Sequence, residues 1–474
     1  MSEDKKTEDI MSEIVKPERP GGFLDYLPGD FLARQKMLRI IERVFSSFGF
    51  DLIETPIAEF LETLSGEKSE TGKNIFTIKN RDEDRVLALR FDHTVPLARF
   101  ISANPYDKKQ QTGIRLPWSR QVVGPVFRSD KPQAGRYRQF YQFDADTVGT
   151  SSMLADAQIV AMIYKTMREL GVENFVIKIN NRKILNGLAQ VAGITDRGQV
   201  TADNITKEMM RILDKIDKIS IDQVLSELKR VPENDFDSAP YLSDKATAKI
   251  RSYLELKGDN QQLLEQCQEV FKGVEITQEG ITELGQILDF LQALEIPEKY
   301  VSVDFSIARG LDYYTGPVME TILTDAKKFG SIFSGGRFDG LVSRFTGQDL
   351  PAVGASIGVD RLFAALDSLG LINRDRSTVT DVMILRLSTE RDKDYLKIAS
   401  QIRELGLNTE ICLLDDTTFK SQFNFAISRG VKYVVICGND EFERGIIKIK
   451  NLTTREQSEV IPDDLAVYFQ TAEK

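Results

Sequence analysis

The chain has 474 residues, of which 41% are hydrophobic and 28% are charged, and its formal net charge is −10. At about 150 residues per domain, this length predicts about three domains with ample material for buried cores, so the composition excludes a disordered chain. Sequence-independent coating of nucleic acid is disfavoured as well, because such binding needs an excess of basic residues.

Residues 1–17 are polar and charged without periodicity, which predicts a mobile N-terminal tail. The start, MSEDKKTEDIMSEI, has neither the apolar core of a signal peptide nor the Arg-rich character of a transit peptide. No stretch approaches the ~18 apolar residues of a membrane-spanning helix. We therefore expect a cytoplasmic protein with no membrane partner.

Cysteine and histidine are scarce in this chain. There are three cysteines without a CxxC pair, and His93 is the single histidine. We therefore expect neither a disulfide scaffold nor a metal held by Cys and His side chains. Carboxylates, arginines, tyrosines and backbone groups are left to carry any chemistry.

The spacing of apolar residues predicts the elements of the first 180 residues. Helices are expected over 29–48 and 152–170. The expected strands are 51–53, 74–78, 85–90, 121–128, 137–143 and 175–179, with a hairpin between the fourth and the fifth.

The pattern changes at about residue 181. Apolar residues recur at three- and four-residue steps, which predicts a helical insertion over about 181–297. Strands return over 300–319, and the polar run 373–378 is the best linker candidate. Beyond it, alternating strand-like and helical runs predict a small α/β domain over 379–474 with a partly parallel sheet.

Basic residues concentrate in one segment of this acidic chain. Residues 105–140 contain eight Lys or Arg against two Asp, which suggests an anionic ligand. Side chains alternate along a strand, so Arg128 and Phe140 could share one face of the hairpin. A guanidinium there could grip phosphate or carboxylate beside a ring on which a base stacks.

Two later segments combine arginine with glycine and aromatic residues, RGLDYYTG at 309–316 and GASIGVDR at 354–361. The second reads as a strand that runs into a helix, and it fits neither a P-loop nor a Rossmann glycine pattern. Ordinary explanations compete here: surface salt bridges for the arginines, turn geometry for the glycines and core packing for Tyr313 and Tyr314. For His93, a neutral imidazole facing away from Asp92 and Thr94 is favoured over a base, since neighbours on a strand point to opposite faces.

These segments, in this order, resemble the signature of class II aminoacyl-tRNA synthetases. GFDLIETP at about 49–56 is similar to motif 1, whose proline belongs to the dimer interface in the family. FRSD and RYRQF, within about 124–143, are similar to motif 2, and about 354–362 is similar to motif 3. RGLDYYTG and LRFDHTVP at 89–96 resemble the histidine-binding segments of histidyl-tRNA synthetases.

The resemblance spans essentially the whole chain and implies an α+β fold. It implies a catalytic domain over 18–378, built on the class II antiparallel sheet with flanking helices and carrying the helical insertion, and an α/β anticodon-binding domain over 379–474. The implied activity is ligation of histidine to tRNA(His) through histidyl-adenylate, with ATP as substrate, Mg²⁺ as cofactor and a homodimeric assembly. The position of the insertion suggests the hypothesis that it contacts the acceptor arm of the tRNA.

The resemblance also assigns roles to single residues. Arg128 and Arg309 are implied as catalytic, one on either side of the α-phosphate of ATP. The implied histidine-binding residues are Asp92, Thr94, Arg128, Gln142, Asp146, Arg309, Tyr313 and Tyr314. The implied ATP-binding residues are Arg128, Asp130, Arg136, Phe140 and Arg361. The chain has aspartate at 92 and 146, where some family members have glutamate, and also at 130, where class II enzymes usually have glutamate.

The alternative is a histidine-sensing paralogue without catalysis, of the type of the regulatory subunit of ATP phosphoribosyltransferase. Such a protein would lack the C-terminal domain and usually the motif arginines, whereas this chain has Arg128, Arg309 and Arg361. A pure RNA-binding scaffold would have a basic C-terminal domain. Residues 381–474 instead contain 13 Lys or Arg and 16 Asp or Glu.

Overall fold

The computed structural model describes residues 15–65, 74–79, 85–131, 137–216, 219–234, 236–307 and 313–472. They form two compact units. The first contains the described residues up to Leu24 and Arg39–Leu371, and the second contains Asp25–Leu38 and the described residues from Ile372. The division falls inside the first helix, α1 (Pro28–Ser47).

The first unit is built on an eight-stranded sheet. Its described strands are, in chain order, β1 (Asp51–Leu52), β2 (Ala58–Phe60), β3 (Thr77–Ile78), β4 (Leu87–Leu89), β5 (Trp118–Phe127), β6 (Gln139–Val148), β7 (Phe175–Asn181), β8 (Val301–Val303), β9 (Pro317–Leu323), β10 (Ser331–Arg337) and β11 (Ala352–Gly358). The large sheet has the order β1-β5-β6-β11-β10-β9-β7-β8, and a small sheet has the order β2-β4-β3. Only the outer pairs β1–β5 and β7–β8 of the large sheet are parallel, which confirms the α+β class with an antiparallel sheet.

Helices flank this sheet. Outside the segment between β7 and β8, they are α2 (Leu61–Ser65), α3 (Thr94–Ala103), α4 (Met153–Glu169), α11 (Ser343–Thr346) and α12 (Val359–Ser368). Helix α4 begins where the Ser152 side chain accepts a hydrogen bond from Leu154 N, and it buries Ile159 and Ile163 against the sheet. Among the described helices, none is long and apolar enough to cross a membrane.

The segment between β7 and β8 is helical, as its apolar spacing predicts. It contains α5 (Arg182–Val191), α6 (Ala202–Leu213), α7 (Ile221–Leu228), α8 (Asp244–Leu254), α9 (Asn260–Val270) and α10 (Glu275–Ala293). Polar side chains cap most of these helices at the N-terminus, with full capping boxes at Ser220–Gln223 and Asp259–Gln262. Local sequence therefore determines where these helices begin.

The second unit has a five-stranded sheet of order β13-β12-β14-β15-β16. The strands are β12 (Val382–Ile384), β13 (Thr409–Ile411), β14 (Tyr433–Ile436), β15 (Ile447–Asn451) and β16 (Gln457–Val460). Its helices are α13 (Asp392–Glu404), α14 (Phe419–Arg429), α15 (Asn439–Arg444) and α16 (Leu465–Ala472). Strand β12 is parallel to β13 and β14, whereas β14–β15 and β15–β16 are antiparallel, so the predicted partly parallel sheet is confirmed.

Candidate functional site

The candidate site is an open cleft of about 1670 Å³ in the first unit. Its floor is the part of the large sheet where β6 lies between β5 and β11. The sequence-predicted site residues that line it are Asp92, Thr94, Arg128, Asp130, Phe140, Gln142, Asp146, Tyr313, Tyr314 and Arg361. Arg136 and Arg309 lie outside the described residues.

Strand β6 presents a row of side chains to the cleft. Phe140, Gln142, Asp144 and Asp146 alternate along the strand, so they share one face and all four line the cleft. On β11, Ser356 pairs with Asp144 and Gly354 pairs with Asp146 in the backbone register. Along the strand, the face toward the cleft therefore presents an aromatic ring, an amide and two carboxyl groups, in that order.

Arg128 follows directly after β5 and lies between two aromatic rings. Its guanidinium carbon is 4.2 Å from the ring centroid of Phe91 and 5.0 Å from that of Phe140. The structure confirms the expected proximity of Arg128 and Phe140. Burial lowers the pKa of Arg128, and the Asp92 carboxylate opposes that shift, so the arginine stays a cation held in place by flat partners.

Asp92 lies two residues before the first residue of helix α3. Its Oδ1 accepts hydrogen bonds from the backbone N–H groups of Thr94 and Val95, each at 3.1 Å. The strand expected for Asp92, His93 and Thr94 is therefore wrong: β4 ends at Leu89 and a helix starts at Thr94. The carboxylate supplies the acceptor that the free amides of the first turn need, and proline is tolerated in that turn.

Asp146 forms a buried ion pair with Arg120 of β5. Arg120 Nη2 lies 2.6 Å from Asp146 Oδ2, and the arginine side chain is fully buried. Burial raises the pKa of Asp146 to about 6, opposed by Arg120. A Cβ at Gly354 would collide with the Asp146 carboxylate and lie 2.8 Å from the backbone oxygen of Ala145, so glycine is needed for this close approach.

The two adjacent tyrosines form one wall of the cleft. The ring centroids of Tyr313 and Tyr314 are 4.3 Å apart. A Cβ at Gly336 would lie 2.9 Å from the Tyr314 ring, so this glycine lets the ring rest on β10. Tyr313 keeps 45% of its surface exposed, so it is not the core aromatic that composition alone suggests.

His93 lies beneath the cleft and is 1% exposed. Its Nε2 is 3.3 Å from the Gly124 carbonyl oxygen, and burial together with Arg90 and Arg120 lowers the His93 pKa to about 3. A neutral imidazole is therefore correct. The expected reason was wrong, because the residue precedes a helix and does not lie on a strand.

The segment similar to motif 3 has the expected form, since β11 runs directly into α12. Arg361 lies in the first turn of α12, and its Nη1 donates a hydrogen bond to the Ser331 carbonyl at 2.8 Å. Asp360 accepts a hydrogen bond from the backbone N–H of Tyr141 at 2.7 Å, which ties the helix to β6. Together with Phe140, Arg361 offers flat groups at one end of the cleft.

Family models decide which group of proteins this chain matches. A model described as histidyl-tRNA synthetase matches residues 22–362, and a model described as anticodon binding domain matches residues 381–471. The chain belongs to the histidyl-tRNA synthetase family.

Relatives agree with this assignment along nearly the whole chain. A histidine–tRNA ligase of Rhodopirellula baltica is 37% identical over 466 residues, covering 97% of this chain and 100% of the relative. One of Clostridium tetani is 35% identical, covering 94% and 97%. The crystal structure of histidyl-tRNA synthetase from Nostoc sp. PCC 7120 superposes with a TM-score of 0.81 at 32% identity, covering 97% of this chain and 100% of that one.

Residues outside the family-derived predictions also line the cleft of this histidyl-tRNA synthetase family member. Asp144 is one of them. The sequence QFDAD could have predicted it, because alternate residues of a strand, here 142, 144 and 146, share one face. Four more are Arg182 and Asn186 of α5 with Asp203 and Lys207 of α6. Only tertiary packing brings these helices to the cleft. Within the described part of the chain, no three His, Cys, Asp or Glu side chains form a group that could hold a metal ion.

Proposed function

We propose that this chain is a histidine–tRNA ligase that works in two steps. The histidine carboxylate attacks the α-phosphorus of ATP and pyrophosphate leaves; the histidyl group then passes from the adenylate to the terminal ribose of tRNA(His), releasing AMP. The observation that carries this proposal is that one cleft brings Arg128, Phe140 and Asp146 together in a chain of the histidyl-tRNA synthetase family.

Arg128 and Arg309 are proposed to hold the α-phosphate from two sides. Negative charge grows on its oxygens during in-line displacement, and fixed cations stabilise that charge most in the transition state. The stacking of Arg128 between Phe91 and Phe140 supports this role, because it fixes the guanidinium before substrate arrives. The role of Arg309 rests on the resemblance alone.

Phe140 and Arg361 are proposed to sandwich the adenine, with Asp130 on the adenine side and Arg136 near the outer phosphates. Mg²⁺ is proposed to enter as MgATP. The described residues hold no cage of acidic ligands, which suits an ion that usually keeps water and substrate phosphates as ligands. Bound there, Mg²⁺ would neutralise charge on the leaving pyrophosphate.

The histidine pocket is proposed to use Asp146 and Tyr314 for the imidazole, Asp92, Thr94 and Gln142 for the ammonium group, and Tyr313 alongside. A substrate of similar shape without imidazole nitrogens would form neither of these hydrogen bonds, and Asp146 would have only its ion pair with Arg120. Such a loss rejects an analogue far more strongly than a missing methylene does.

Further parts of the proposal concern the assembly. The motif 1 resemblance suggests a homodimer, the match over 381–471 supports tRNA as partner of the second unit, and the cytoplasm is the proposed location. The boundaries at about 17, 181, 297 and 378 stay predictions.

The test is ATP–pyrophosphate exchange with each of the twenty amino acids, without tRNA, followed by charging of tRNA(His). We expect exchange with histidine alone and transfer of histidine to the tRNA. Histidine binding without exchange would instead indicate the sensing paralogue.

A further inference from the structure

Asp144 is a carboxylate in the cleft to which the proposed function gives no role. It lies on β6 between Gln142 and Asp146, on the face that lines the cleft, and only 3% of its surface is exposed. Its Oδ1 is buried and accepts no hydrogen bond from any described residue. A buried carboxylate oxygen without a donor is costly, so its presence calls for an explanation.

The neighbouring amide shows the same pattern. Gln142 donates from Nε2 to the Ser356 hydroxyl at 2.8 Å, which leaves its Oε1 as an acceptor. That oxygen is also buried without a donor among the described residues. Two free acceptors therefore stand next to each other on one face of β6, and they match a ligand group that has several N–H donors and no acceptor.

Neither Arg120 nor Arg128 forms an ion pair with Asp144 among the described residues, although the buried Nε and Nη1 of Arg120 have no hydrogen-bond partner there. Arg120 lies 2.6 Å from Asp146, and Arg128 is stacked on Phe91 and Phe140. The other titratable or charged groups that act on Asp144 or sense its charge are Arg90, Asp92, Tyr313 and Tyr314. Burial, with repulsion from Asp146 and Asp92, raises the pKa of Asp144 to about 7 despite Arg120 and the Ser356 hydroxyl. A cation that binds next to Asp144 would favour its ionised form and lower this pKa again.

We propose that Asp144, with Gln142, binds the α-ammonium group of histidine through its carboxylate. This inference rests on the proposed function and adds a specificity residue to it. The proton of the Asp144 carboxyl group passes to solvent, and the ammonium group keeps all three of its protons. The ammonium is the cationic group of the substrate at neutral pH, which makes it the group that a carboxylate oxygen without a donor recognises most strongly.

The first test compares Asp144→Asn with Asp325→Asn, a matched loss of an exposed carboxylate outside the cleft. Affinity is measured for histidine, for histidinol, which lacks the carboxylate, and for imidazolepropionate, which lacks the ammonium. We expect Asp144→Asn to weaken histidine and histidinol by about 10- to 100-fold, as for a lost charge-assisted hydrogen bond. Imidazolepropionate should change by less than about twofold, and Asp325→Asn should change none of the three.

Equal weakening of all three ligands would overturn the proposal, because Asp144 would then act on the imidazole or on the shape of the pocket. Unchanged affinities would overturn it as well. ATP–pyrophosphate exchange with histidine is measured in the wild-type enzyme in parallel. If the wild type catalyses this exchange, such a result concerns Asp144 alone and does not affect the proposed function.

A second test needs no variant. Calorimetry of the wild-type enzyme near pH 7, in buffers of different ionisation enthalpy, counts the protons released on binding. We expect histidinol to release a fraction of a proton more than imidazolepropionate, after correction for the imidazole pKa of each free ligand. Equal release for both ligands would contradict ionisation of Asp144.

Discussion

At the scale of single residues, the cleft depends on glycines as much as on charged side chains. Gly354 and Gly336 leave the sheet surface bare, and the Asp146 carboxylate and the Tyr314 ring occupy that space. The residues proposed to select histidine are therefore positioned by the absence of side chains on β10 and β11. Glycines in such motifs need not bind phosphate, and here close packing against Asp146 and Tyr314 explains Gly354 and Gly336.

We predict that Gly354→Ala destabilises the protein by about 1–3 kcal/mol and raises the KM for histidine more than the KM for ATP, because the added methyl group displaces Asp146. Urea unfolding and exchange kinetics measure the two effects. Gly285→Ala in α10 is the control: its Cβ meets only Leu264, at 4.0 Å, so it should leave kinetics unchanged and stabilise the helix by up to about 1 kcal/mol. A KM for histidine that stays at the wild-type value in Gly354→Ala would contradict this account.

Arg309 gives a second residue-scale prediction. If it meets charge that develops in the transition state, Arg309→Ala should lower the rate of adenylate formation about 100-fold or more and weaken ATP binding only slightly. Single-turnover kinetics separate the two quantities. The control is Arg43→Ala, since Arg43 is an exposed arginine paired with Glu169 outside the cleft. A normal rate with poor ATP affinity would make Arg309 a binding residue only.

At the scale of elements, the helices between β7 and β8 do more than extend the first unit. Helix α10 packs against α4 and β7, and α5 and α6 bring polar side chains to the cleft. Deleting the whole segment would therefore expose part of the core, so substitutions test its contact with the acceptor arm better. Lys207 of α6 is suitable because it lines the cleft and pairs only with exposed Asp203 of the preceding helical turn in the described structure.

We predict that Lys207→Glu raises the KM for tRNA several-fold, with a weaker dependence on salt, and leaves pyrophosphate exchange with histidine unchanged. A lost phosphate contact has this signature, because fewer counterions are released on binding. Lys249→Glu on α8, an exposed lysine outside the cleft, should change neither quantity. An equal fall in exchange and charging would place Lys207 in the adenylation step instead.

At the scale of the whole molecule, buried carboxylates link stability to pH. Burial raises the pKa of Asp144 to about 7 and the pKa values of Asp146 and of Asp156, a buried residue of α4, to about 6. Between pH 4 and 7 the folded protein therefore binds more protons at these groups than the unfolded chain does. Their contribution is fully present below about pH 4 and is lost as pH rises through 6 to 7.

We predict that the free energy of unfolding contributed by these groups falls between pH 5 and 7.5, and that Asp144→Asn removes part of this slope. Because Asn resembles the protonated acid, the variant should be at least as stable as the wild type at pH 7.5 while binding histidine more weakly. Urea unfolding across this pH range measures both effects, with Asp325→Asn as the control. A variant slope equal to that of the wild type would contradict a raised pKa at Asp144.

The sequence by itself determined the fold class, most helix positions and the family, because apolar periodicity, capping residues and the motifs around Arg128, Tyr314 and Arg361 are local in the chain. It misjudged residues 92–94, where the Asp92 carboxylate accepts hydrogen bonds from the first turn of a helix. Only the tertiary structure decided that Asp146 is paired with Arg120, that Asp144 and Gln142 keep free acceptors, and that α5 and α6 reach the cleft. Burial and unsatisfied hydrogen bonds arise between segments distant in sequence, so no local pattern can express them.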